Sequence, residues 1–96
     1  MDSAYVNINV DKALVTLAIE KTLLVMGKPV YEKVVDILDK KYHCYLPDCF
    51  EKPEYLKAVL KEIFGASYNG IINSIQKELS EFAYKKRIEA FLQGLS

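Results

Sequence analysis

The sequence predicts an all-α protein: a compact bundle of four to five short helices, the first of them central, preceded by a short extended N-terminal segment. Apolar residues recur at helical spacing in five segments, and glycine or proline punctuates most of the joints. The composition points the same way, with 51% hydrophobic and 27% charged residues and only four Gly and three Pro in 96 residues. That is the balance of one globular domain able to build a core without disulfides or a metal. The expected organisation is an extended segment over 1–9 and a single helical domain over 10–96.

Residues Ala4 to Val10 alternate Tyr5, Asn7 and Asn9 with Val6, Ile8 and Val10. This period of two suggests an edge strand or an extended segment, with a second copy as its only pairing partner. The first helix is expected from Asp11 to Met26, with Asn9 or Asp11 as N-cap and Gly27 after its end. Lys12, Thr16 and Glu20 make one narrow polar stripe, while Leu14, Val15, Leu17, Ala18, Ile19, Leu24 and Val25 cover most of the circumference. That pattern belongs to a largely buried helix, and Leu17 is expected among its core residues.

Pro29 suits the first turn of a second helix, whose inner face is Tyr31, Val34, Val35, Leu38 and Tyr42 and whose outer face is charged. His43 to Lys52 has no period and contains Pro47-Asp48, which predicts an ordered loop. Pro53 opens a third helix with Tyr55, Leu56, Val59, Leu60, Ile63 and Phe64 on one face, ended by Gly65. Ser67 is a natural N-cap for a fourth helix with Tyr68, Ile71, Ile72, Ile75, Leu79 and Phe82 inward. A short last helix near Lys85 to Gln93 buries Ile88, Phe91, Leu92 and Leu95.

Charge excludes some partners. Lys plus Arg equals Asp plus Glu at 13 each, and residues 1–48 carry 6 basic against 7 acidic while 49–96 carry 7 against 6. No global field draws the chain to nucleic acid or anionic lipid. The N-terminus lacks the basic and apolar regions of a signal peptide, and no run reaches the roughly 18 apolar residues of a membrane span. A cytoplasmic protein with no membrane association is expected, with Cys44 and Cys49 as free thiols.

No enzyme is expected. His43 is the one histidine, no nucleophile with a base and an orienting carboxylate stands out, and no phosphate loop, dinucleotide fingerprint or paired-histidine motif occurs. No cofactor and no small-molecule substrate are therefore expected. The run His43-Cys44-Tyr45-Leu46-Pro47-Asp48-Cys49 offers metal-ligating groups, but the four-residue gap between the cysteines is not a zinc knuckle and no second pair follows. Buried thiols anchoring the loop are the favoured reading, and no metal is expected.

Two surfaces could bind macromolecules. Tyr45, Leu46 and Phe50 are apolar residues in a loop, which either plug the bundle or form a protein-docking patch. Residues 56–79 suit a helix-turn-helix comparison, with Gly65 in the turn and Asn69, Asn73, Gln76 and Lys77 on the outer face of the second helix. Lys85, Lys86 and Arg87 could add phosphate contacts. Against that alternative, Lys61 stands where the motif needs a small residue, and zero net charge removes the electrostatic contribution to DNA affinity.

The strings Gly27-Lys28-Pro29, Cys44-Tyr45-Leu46-Pro47-Asp48-Cys49, Pro53-Glu54-Tyr55-Leu56 and Leu60-Lys61-Glu62-Ile63-Phe64-Gly65 resemble a small helical domain of ammonia-oxidising archaea, the Nitrosopumilus-type output domain. The resemblance covers about residues 10–93. It implies a cytoplasmic, non-enzymatic module in archaeal signalling or regulation, of a family in which copies are joined to receiver domains. The expectation is an interaction module that binds a protein partner or forms a homodimer, with DNA binding as the alternative.

Overall fold

Each of the three prolines starts a helical element, because its fixed φ suits a first turn and its missing N–H leaves no bond unmade there. Pro29 stands in the first turn of α2, Lys28–Tyr42; Pro53 heads α3, Pro53–Phe64; and Pro47 lies in a 3-10 turn, Leu46–Phe50, between them. The computed structural model describes the backbone of residues 3–96 and the side chains from Ile8 onward. Before α2 runs α1, Ser3–Met26, and after α3 come α4, Tyr68–Glu78, and α5, Lys86–Leu95. Short 3-10 turns, Gly65–Ser67 and Ser80–Phe82, flank α4. The described residues are all-α and contain no strand.

The joint between α1 and α2 turns on Gly27, whose φ of 131° is open only to glycine. Its N–H donates to the Leu24 carbonyl, and its own carbonyl accepts from Val30 and Tyr31. One residue thus closes one helix and opens the next. At the far end of α2 the chain stops on His43, a left-handed residue whose N–H donates to the Asp39 carbonyl.

α1 packs against α2, the Leu46–Phe50 turn, α4 and α5, and α3 packs on α2, α4 and α5 from the other side. The first helix is central. Val15, Ala18, Ile19 and Leu23 of α1 meet Val34 and Leu38 of α2, Leu56, Val59 and Leu60 of α3, Ile72, Ile75 and Leu79 of α4 and its exit, and Ile88, Phe91 and Leu95 of α5 in one buried cluster. The Cα radius of gyration, 12.9 Å, is that of a packed domain of this length. The end of α5 lies tight on the start of α3, since a Cβ added at Gly94 would come within 2.5 Å of Pro53 Cγ.

Four expectations change. The alternating segment is helical, because α1 reaches back to Ser3; Met1 and Asp2 lie outside the described residues. A period of two over six residues cannot outweigh a helix that starts upstream of it and continues without interruption. Asp11 is not an N-cap but a buried mid-helix residue, 2% exposed, paired with Lys85 and Arg87. Ser67 makes no side-chain cap, because the preceding 3-10 turn runs straight into α4 and keeps its backbone helical. Leu17 is not a core residue: it is 62% exposed.

The last of these sets a measurable contrast. In urea unfolding, Ile19→Ala should cost about 2–5 kcal/mol, the range for truncating a fully buried aliphatic, while Leu17→Ala in dilute protein should stay within about 0.5 kcal/mol. Equal costs would put both residues in the core.

Candidate functional site

The loop trio divides on folding. The Leu46–Phe50 turn is fixed by Asp48, whose Oδ2 accepts the Tyr45 N–H at 2.8 Å while its own N–H donates to the Tyr45 carbonyl. That local ring drives Leu46 inward, where it is buried, and rests Phe50 on the core edge. Tyr45 alone faces solvent, 70% exposed. Leu46 and Phe50 therefore plug the bundle, and a single ring is left of the expected patch.

The same turn buries both cysteines. Cys44 and Cys49 are both free thiols. Burial, with Cys44 and Asp48 beside it, pushes the Cys49 thiol up to about 12. The Cys44 thiol is raised as well, first by burial and then by Asp48. No group of three or more His, Cys, Asp or Glu side chains among the described residues is arranged to hold a metal ion.

The outer face of α4 is polar but poorly charged. Asn69, Asn73 and Lys77 are exposed, whereas Gln76 is half-buried and donates from Nε2 to the Ser96 hydroxyl at 3.0 Å. Of the neighbouring cations, Lys85 bonds Asp11 Oδ1 at 3.0 Å and Arg87 lies 3.7 Å from Asp11 Oδ2. Lys77 and Lys86 enter no ion pair among the described residues, and Lys61 sits over the Tyr68 ring, 5.0 Å from its centroid. Among the expected DNA-contact residues, Gln76 is bonded to Ser96 and two of the cations are tied to a buried carboxylate.

Most of the exposed large hydrophobic residues among those described lie on α1. Two groups of its polar stripe are bonded within the chain: Lys12 Nζ donates to Glu51 Oε1 at 3.1 Å and Thr16 donates to the Lys12 carbonyl at 2.7 Å, while Glu20 is half-buried near Tyr31. The Tyr31 hydroxyl is raised above its ordinary pKa by burial and by Glu20. Thr22, also buried, donates to the Ala18 carbonyl at 2.8 Å. With those groups satisfied inside, the opposite side of the helix faces solvent. Val10, Leu17 and Leu24 are 46%, 62% and 47% exposed, and Val25 is 81% exposed.

Seven residues is about two helical turns, so Val10, Leu17 and Leu24 stand nearly in line. Leu14 and Lys21 border that line on one side, Ala13 and Glu20 on the other. Leu17, Glu20, Lys21, Leu24 and Val25 line a shallow groove along it. The signal was present in the sequence as the spacing 10, 14, 17, 21, 24, a heptad stripe with one lysine. It was hidden because a helix apolar all round is ordinarily buried all round.

Buried thiols held neutral make a checkable prediction. At pH 8 the folded protein should react slowly with Ellman's reagent, and unfolding in guanidinium should release two fast-reacting thiols. Because the unfolded thiol ionises near pH 8.5 and the folded Cys49 only near 12, the unfolded state holds fewer protons between those values, and stability should fall as pH rises through that window. Fast native labelling would contradict the burial.

No helix of the described residues is long and apolar enough to cross a membrane. Comparison with known proteins returns no match of the chain to a family model, a curated protein or a solved structure.

Proposed function

We propose that the chain is a non-catalytic interaction module that binds a protein partner or a second copy of itself through the solvent side of α1. One observation carries the reading: α1 bonds Lys12 and Thr16 within the chain and turns Val10, Leu17, Leu24 and Val25 outward. Covering such a surface gains about 25 cal/mol per Å² of apolar area removed from water, and contiguous apolar ridges on a folded surface mark interaction sites. The side chains concerned sit on a rigid helix whose other face is locked into the core, so little ordering entropy opposes association.

A setting in the cytoplasm and in archaeal signalling or regulation is part of the proposal, supported by the resemblance of the Gly27, Cys44, Pro53 and Leu60 strings. DNA binding through residues 56–79 draws less support. Of its candidate phosphate contacts, Lys85 and Arg87 are drawn to the buried Asp11, which leaves Lys77 and Lys86 as its unpaired cations among the described residues, and phosphate contacts supply most of such affinity.

Site-specific photo-cross-linking in native extract distinguishes these surfaces. Leu17→p-benzoylphenylalanine should give discrete adducts, while the same residue placed at Tyr45 or Asn73 should give none. Adducts confined to Tyr45 or Asn73 would overturn the assignment of α1, and nucleic-acid adducts at Asn73 would establish the DNA alternative.

A further inference from the structure

We infer that the occupant of the α1 ridge is a second copy of this chain, joined along a two-fold axis parallel to α1 so that the two helices form a short parallel coiled coil. This inference rests on the reading of α1 as the interaction surface. Val10, Leu14, Leu17, Lys21 and Leu24 fall at alternating four- and three-residue steps. That is the a and d pattern of a two-stranded coil, with Val10, Leu17 and Leu24 at d and Leu14 and Lys21 at a.

Charge selects the partner and its direction. In a parallel in-register pair, each a residue packs beside the g residue of the other helix, the one immediately before a in sequence. Lys21 at a then meets Glu20 of the second copy, and by symmetry the opposite contact forms as well. Leu14 at a, half-buried against its own core at the edge of the ridge, comes beside Ala13 in the same way, a small side chain beside a large one. The ridge is therefore complementary to itself in both charge and size. An antiparallel pair sets the Glu20 side of one helix against the Glu20 side of the other and the Lys21 side against the Lys21 side, so neither ion finds its opposite.

The groups concerned are free to do this. Lys21 Nζ is two-thirds exposed and bonds Glu78 of its own copy at 3.3 Å, a contact in water that a second carboxylate joins or replaces. Glu20 is half-buried and enters no ion pair among the described residues, and a carboxylate has acceptor capacity for several donors. A polar residue at one a position costs stability but fixes register and strand number, which is the use of a single lysine among apolar layers. Val10, Leu17, Lys21 and Leu24 are exposed along the ridge, with only Leu14 of the stripe half-buried against the core.

Among the side chains described, Ile8, Asn9 and Val10 of α1 are all exposed although three consecutive residues point in three directions, and Asp11 is the first that the bundle buries. Turns of helix with no cover are marginal in water. A parallel partner covers them in both copies at once, continuing the same stripe.

Sedimentation equilibrium of the purified chain at loading concentrations up to about 200 µM tests the inference, since that range detects micromolar dissociation constants. The wild type should show self-association to twice its 11.0 kDa mass. Leu17→Glu should be monomeric with unchanged helical circular dichroism, because the side chain is exposed in the single copy. Glu20→Lys and Lys21→Glu should each weaken the dimer about tenfold or more, and the double reversal Glu20→Lys/Lys21→Glu should restore it. A wild type that stays monomeric, or a Leu17→Glu protein that still dimerises, overturns the second-copy occupant. Dimerisation indifferent to the charge reversals overturns the parallel arrangement. If the wild type is monomeric yet a different protein cross-links at position 17, the interaction surface stands and only its occupant is wrong; if nothing cross-links there, the surface itself is wrong.

Discussion

The structure depends on one constraint: α1 is apolar around nearly its whole circumference, and the other four helices can cover only about half of it. Burial of Val15, Ala18, Ile19 and Leu23 organises the core, since every other element packs directly or at one remove on that face. The same helix must then show its remaining side to water. Lys12 reaches Glu51 beside the Leu46–Phe50 turn and Thr16 bonds its own helix backbone, and the outer ridge is left largely aliphatic.

Electrostatics within the bundle follows from where charge is buried rather than from how much is present. Asp11 is the one buried acidic residue among the described residues, and it draws Lys85 and Arg87 across to the start of α5. A buried carboxylate without a cation would be costly, so those two basic groups serve a fold contact between the first helix and the last. Net neutrality thus has a local counterpart: two of the cations that look available for a polyanion in the sequence, Lys85 and Arg87, are committed to Asp11 in the structure.

Much of the fold was legible from the residues. Pro29 and Pro53 located two helix starts, Gly27 and Gly65 two helix ends, and the inner faces of α3, α4 and α5 followed from apolar spacing alone. What escaped was decided by tertiary contact. Asp11 resembles a cap until α5 is placed beside it, and Ser67 resembles a cap until the turn before it is seen to be helical. Leu46 and Phe50 could not be sorted from Tyr45 without knowing that Asp48 closes the turn. Leu17 was misread because periodicity reports how apolar a face is, not whether a neighbouring element covers it.

The claim that α1 has one covered and one uncovered apolar face is tested most directly by a thiol-labelling scan along it, at nanomolar protein where association is negligible. Single cysteines replacing Leu17, Ile19, Leu23 and Leu24, in a chain whose own two thiols are buried, should separate into two classes. Positions 17 and 24 should label at the rate of a free thiol, and positions 19 and 23 far more slowly. Equal protection at all four would mean that the bundle surrounds the helix, and the ridge would not exist.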